Sequence, residues 1–163
     1  MNLGVTLRNL YEVDCYHDGV LVWSDSFYNL VTTVGKNKLL DACFRTGEAA
    51  LAWYVGLVNA SGFSAYSVTD TMASHAGWTE GVPYSDGTRS PYVSAAASAG
   101  SMSNAAARAL FNINASQTVQ GAFLVDVSTK SGSLGVLYGV GSFVAPRSVI
   151  SGDVLAVKIT LTD

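Results

Sequence analysis

The sequence predicts a mainly β protein: a β-sandwich or jelly-roll-like fold of about eight to ten short strands with one short amphipathic helix. Three observations carry this expectation. Apolar and polar residues alternate over several short runs, the period of a half-buried strand. Gly, Ser, Asn and Asp cluster between those runs, as strand connections require. Only residues 33–46 repeat their apolar positions at helical spacing. No repeat of roughly 20 to 50 residues is evident, which disfavours a solenoid or a propeller.

The chain of 163 residues is most simply one β-rich domain, 1–163, long enough to bury a sizeable core. Hydrophobic residues make up 49% and charged residues 13%, the latter about half of the ~25% usual in soluble proteins. That balance argues against disorder. It also leaves few charges to cover a free monomer, so part of the surface is expected to meet a partner. A net charge of −3 without a basic run gives no footprint for nucleic acid. The opening residues M-N-L-G-V-T-L-R-N-L-Y-E lack the basic region and apolar core of an export signal. No apolar run approaches the ~18 residues of a membrane span. Synthesis in a reducing compartment is therefore expected, with Cys15 and Cys43 as unlinked thiols.

In chain order, Val5, Leu7, Tyr11, Val13 and Cys15 alternate with Thr6, Arg8, Glu12 and Asp14, a strand with Cys15 pointing inward. Asp18-Gly19 supplies a hairpin turn and V-L-V-W (20–23) starts the return strand. The helix over 33–46 is capped by Thr33 and ended by Gly47. Its Leu39, Leu40, Cys43 and Phe44 should face the core, with Lys36, Lys38 and Arg45 outward. W-Y-V-G-L-V (53–58) is apolar on both faces, as in a central strand. Residues 59–90 follow as a long irregular loop, the kind that is usually functional or an interaction arm. Segments 92–97, 107–113, 118–125, 135–140, 143–149 and 155–162 are strand-like, Pro146 placing the fifth of these at an edge or bulge. The small-residue stretch 94–107 is read as two strand edges joined around Gly100-Ser101.

The chemistry-bearing residues are sparse. Asp70, His75 and Glu80 fall within D-T-M-A-S-H-A-G-W-T-E (70–80), but no recurring zinc or calcium spacing accompanies them. They read as punctuation: Asp70 or Thr71 capping one helical turn that ends at Ala76-Gly77, His75 bonded locally, and Trp78 an apolar anchor. Gly139-Val140-Gly141-Ser142 lacks the last Gly of a nucleophile elbow and the third of a dinucleotide fingerprint. With Gly135 it reads as a bulge or tight turn. No catalytic, cofactor-binding or metal-binding residue is assigned. Trp53 and Trp78 are expected in the core, and Tyr66 and Tyr84 on the surface as partner contacts.

Five stretches carry a resemblance: N-L-V-T-T-V-G-K-N-K-L-L-D-A-C-F (29–44), A-W-Y-V-G-L (52–57), residues 70–80, V-Q-G-A-F-L (119–124) and S-V-I-S-G-D-V-L-A-V-K-I-T-L-T (148–162). In this order, over nearly the whole chain, they resemble a family of small virion structural proteins of tailed bacteriophages, of the capsid decoration (cement) type. The resemblance implies a non-enzymatic protein of the capsid exterior, bound to the major capsid protein and to itself as a homotrimer, and assembled in the host cytoplasm. The alternative is a tail or fibre module that binds a host surface glycan or another tail protein. None of the shared motifs is chemical, so none transfers a catalytic role.

Overall fold

The computed structural model describes residues 7–49 and 51–162. Among them, two antiparallel sheets pack face to face as a β-sandwich with one helix. The first sheet contains β1 (Arg8–His17), β2 (Val20–Tyr28), β7 (Ser101–Ser103), β8 (Ala109–Asn112) and β11 (Asp153–Thr162). The second contains β3 (Leu30–Val31), β4 (Trp53–Asn59), β5 (Glu80–Gly81), β6 (Ser90–Tyr92), β9 (Gln117–Val125) and β10 (Leu137–Val149). The eleven strands exceed the expected eight to ten because β3 and β5 are two residues each, too short to show a period.

The N-terminal hairpin follows its alternation. Asp18 (φ 48°) and Gly19 (φ 76°) both take positive φ, as a two-residue turn matched to the strand twist demands. Tyr11, Val13 and Cys15 point inward and are buried; Val5 and Thr6 lie outside the described residues. Inward residues of β11, Leu155, Val157 and Ile159, pair with Cys15, Val13 and Tyr11 and share the core with Val55, Leu57, Ala122 and Leu124 of the second sheet. At one sandwich edge Asp25 of β2 accepts from Arg147 of β10 (2.8 Å), and the guanidinium lies over the Trp23 ring, tying the sheets together.

Two strand expectations merge. Residues 137–149 form one strand, whose pairing with β9 breaks between Ser142 and Arg147. Pro146 sits in that bulge, where no ladder N–H is needed. Gly135 (φ 99°) is a turn residue, but Gly141 is paired with Ala122 in regular strand. There a Cβ would lie 2.7 Å from the Phe27 ring, so close packing rather than a turn explains this glycine. The strand expected at 92–97 stops at Tyr92. The small-residue stretch folds back at Ala99 (φ 51°) and Gly100 (φ 71°), Ser98 and Ser101 exchanging backbone hydrogen bonds, so the turn is one residue earlier than expected.

The helix α1 spans Thr33–Phe44, and its cap is Thr32 rather than Thr33: the Thr32 hydroxyl accepts from the Gly35 N–H (3.0 Å). Gly47 (φ 85°) turns the chain beyond it. Gly35, its one buried residue, rests on β10, where a Cβ would lie 2.3 Å from the Tyr138 carbonyl oxygen. The expectation that Leu39, Leu40, Cys43 and Phe44 face the core holds for Leu39, which packs against the main core, and is overturned for the other three. Leu39 is half-buried, whereas Leu40 (59% exposed), Cys43 and Phe44 (84%) face solvent. The helix is anchored through its first turn, so most of the side taken as the core face looks outward.

Residues 59–90 hold the largest departure. They are irregular, but they are packed on their own chain. Residues 60–79 cover the outer face of the second sheet, where Met72 and Trp78 join Val58, Phe123, Val125, Leu137 and Val140 in a second apolar cluster. Residues 82–89 close the sandwich side, Tyr84 bridging to Ile113 and Asn114 donating to the Pro83 carbonyl. Sheet two is thus covered on both faces, which is why β4 and β9 read as continuous apolar runs.

Candidate functional site

Asp70, His75 and Glu80 are not brought together. The Asp70 carboxylate accepts from the Ser67 N–H (2.9 Å) and the Trp78 Nε1–H (3.0 Å). No helical turn follows; Thr71 and Ser74 instead close a tight reverse turn, the Thr71 hydroxyl accepting from the Ser74 N–H. His75 is bonded locally, its Nδ1 2.9 Å from the Trp78 carbonyl oxygen and its ring stacked on the indole at 4.0 Å. Glu80 turns away to Arg89, which donates through Nε (3.0 Å) and Nη2 (2.8 Å). Arg89 is wholly buried and also donates to the Val127 and Gly132 carbonyls, and Ser131 N–H caps the Glu80 carboxylate. The pair pins the 126–136 connection onto the loop before β6, a structural ion pair with its hydrogen bonds filled. Sequence reading missed Arg89, since no local signal marks an arginine as buried.

The two expected contact tyrosines are committed inside the chain. Tyr84 is 2% exposed, its ring edge-on to Phe111 at 4.9 Å and its backbone carbonyl accepting from Lys130. Tyr66 is half-buried between Phe63 and Trp78, and its hydroxyl donates to the Gly141 carbonyl (3.2 Å). Burial pushes its pKa up. Tyr84 is therefore buried in the sandwich side rather than on the surface, whereas Tyr66 packs on the outer cluster with part of its ring still exposed. Trp78 is core as expected, and Trp53 is partly buried against the main core.

One arrangement resembles a nucleophile site. Cys15, Asp153 and His17 are neighbours, with His17 Nδ1 2.7 Å from Asp153 Oδ1. The order of contacts is wrong for activating sulfur. Burial, followed by the Asp153 charge and hydrogen bond, pushes the Cys15 thiol up to about 12, whereas a nucleophilic thiol needs the opposite shift. Burial raises the Asp153 pKa, but the Ile150 N–H, His17 and Cys15 together bring it below its usual value. Asp153 also closes the turn into β11 through the Ile150 N–H (2.9 Å). Both cysteines are free, Cys15 buried and Cys43 exposed on α1. In the native protein Cys43 should alkylate readily and Cys15 only after unfolding, so mass spectrometry should find one label under native conditions and two in denaturant. A native double label would show that β1 opens.

One outward-facing feature is an apolar end of the sandwich. Beside α1, between β6 and β7, lie two adjoining hollows of about 310 and 410 Å3 that share Leu39, Met102 and Leu161. Tyr138 and wholly buried Asn9 line the first; Trp53 and Tyr92 line the second. Leu40 and Phe44 stand exposed on the adjacent helix. The sequence holds a faint signal for this groove: Met102 interrupts a run of small residues, and Leu161 continues the apolar alternation to the end of β11. Leu39 and Phe44 lie ~140° apart around the helix axis, so seating α1 at the buried Gly35 turns Leu39 toward the sandwich and Phe44 away from it. No family model matches the sequence, and no curated protein matches it either.

Proposed function

We propose that the protein is a non-enzymatic structural component of a tailed-phage virion, a capsid decoration protein that binds the major capsid protein on the shell's outer surface and associates with itself there as a trimer. The observation that supports this most is the outward apolar set of α1, Leu40 and Phe44, beside an open apolar groove, in a chain with only 13% charged residues. Large exposed apolar surface marks an interaction site, and the sequence resemblance supplies its kind. The contact surface in this reading moves from Tyr66 and Tyr84 to α1 and the groove. No helix among the described residues is long and apolar enough to cross a membrane. For the alternative of a glycan-binding tail module, Trp78 and Tyr84 of the 59–90 segment are each 2% exposed, and Phe63 and Tyr66 keep only part of their rings outward.

Replacing Leu40 and Phe44 together by Ser should leave the purified protein folded, with an unchanged thermal midpoint. Its binding to particles lacking the protein should weaken ~10-fold or more, as loss of apolar anchors does. Sedimentation of bound protein with particles measures this, and a cryo-electron map gives location and copy number. Density confined to the tail, or full binding by the double variant, would reject the reading or its surface respectively.

A further inference from the structure

A separate hollow, also of about 310 Å3, is lined by residues from 72–80 and by 131–133 of the β9–β10 connection. Its polar lining is His75, Thr79, Glu80, Ser131 and Ser133. Glu80 offers no free charge there. Its carboxylate takes two bonds from Arg89 and one from the Ser131 N–H, and its side chain is 6% exposed. A cation would find that carboxylate already paired. An anion would meet no cation among the lining residues, since Arg89 is wholly buried. The reachable hydrogen-bonding groups are neutral. Thr79, Ser131 and Ser133 are exposed and carry hydroxyls, which both donate and accept. His75 Nδ1 lies 2.9 Å from the Trp78 carbonyl oxygen, so in the neutral ring Nδ1 holds the proton and Nε2 is left as an acceptor. Nε2 is not among the buried unpaired atoms of the described residues. Stacking on Trp78 at 4.0 Å fixes the ring.

We infer that this hollow binds a neutral sugar ring, held by His75 Nε2 and the hydroxyls of Thr79, Ser131 and Ser133. Adjacent hydroxyls on one rigid ring suit it, because each both donates and accepts. One donates to Nε2 while its neighbours exchange hydrogen bonds with the serine and threonine hydroxyls. The volume stands at the small end of the roughly 300–1,000 Å3 of ligand sites, enough for one ring rather than a chain. The site depends neither on the virion reading nor on aromatic stacking. It gives the protein a saccharide ligand in addition to any contact made at α1.

The test uses the full chain labelled at the Met methyl groups and the His rings. It is titrated separately with the methyl glycosides of glucose, galactose, mannose and N-acetylglucosamine. At least one should shift the signals of the His75 ring and of Met72, which also lines the hollow. The same glycoside with every hydroxyl methylated keeps its ring but loses its donors, and should bind at least ~10-fold more weakly, as the loss of two or more hydrogen bonds implies. Thr79→Val and Ser133→Ala, both at exposed positions, should each weaken the glycoside about 2–10-fold. Phosphate and methylammonium should leave these signals in place. If a variant does not fold, the methylated comparison in the unaltered protein decides. No shift with any glycoside, equal binding of the methylated one, or shifts confined to His17 or Met102 would overturn the site. So would unchanged affinity in both variants, or tighter binding of either ion. Particle binding, measured separately, decides the virion reading alone.

Discussion

Arg89→Leu is expected to lower stability by about 3–5 kcal/mol, the usual cost of stripping one partner from a buried ion pair. Arg89 is 0% exposed, and its removal leaves the Glu80 carboxylate, whose side chain is 6% exposed, with only the Ser131 N–H. It also takes donors from the Val127 and Gly132 carbonyls and a cation from the face of Phe123. Urea unfolding should show a lower midpoint with an unchanged slope, since the same surface is exposed. Glu80→Leu in the same chain should restore much of the loss, because two apolar groups in place of a buried pair are often neutral. A single variant within 1 kcal/mol of the parent would mean that water reaches the site and that the pair is not buried in solution.

Trp78→Ala should cost about 3–5 kcal/mol as well, by deleting a large buried ring, but the loss should be distributed differently. The indole lies against Phe123 (5.3 Å) and His75 and donates to Asp70, so it is the main link between residues 60–79 and the outer face of the second sheet. Hydrogen exchange should accelerate most at the amides of Ser64 and Asn59, which donate to Gly77 and Thr79. Amides between β1 and β11 should keep most of their protection, as regional stabilities allow. Uniform acceleration across both sheets would show instead that the covering segment and the sandwich unfold as one unit.

The sandwich itself was legible because alternation survives wherever one face is solvated: β1 and β11 show it plainly, with Glu12 and Lys158 paired on the outer face (2.6 Å) opposite the buried Tyr11, Val13 and Ile159. The Asp18-Gly19 turn was legible because its backbone demands those residue types. Where both faces are covered the period disappears, and the sequence then cannot say what does the covering. Residues 59–90 looked like an arm awaiting a partner for that reason; their aromatics answer the apolar outer face of β4, β9 and β10. The helix failed differently. Its apolar stripe was visible, but the direction it faces is set by a single glycine, Gly35, seated on the Tyr138 backbone. The groove was the least legible, since it is made by residues from β1, α1, β7, β10 and β11 that converge only in three dimensions.

Pairing of β1 with β11 sets the timing of biosynthesis. Tyr11 finds its cross-strand neighbour in Ile159, and Cys15 in Leu155. At ribosomal rates of ~5–20 residues per second, the β1–β2 ribbon waits on the order of ten seconds before its central neighbour has been translated. During that interval Tyr11, Val13 and Cys15 are paired only with β2 and lack β11 on their other side, and the second sheet, whose strands all precede β11, is the part able to form first. A nascent chain stalled before β11 would therefore present an apolar ribbon to chaperones and proteases.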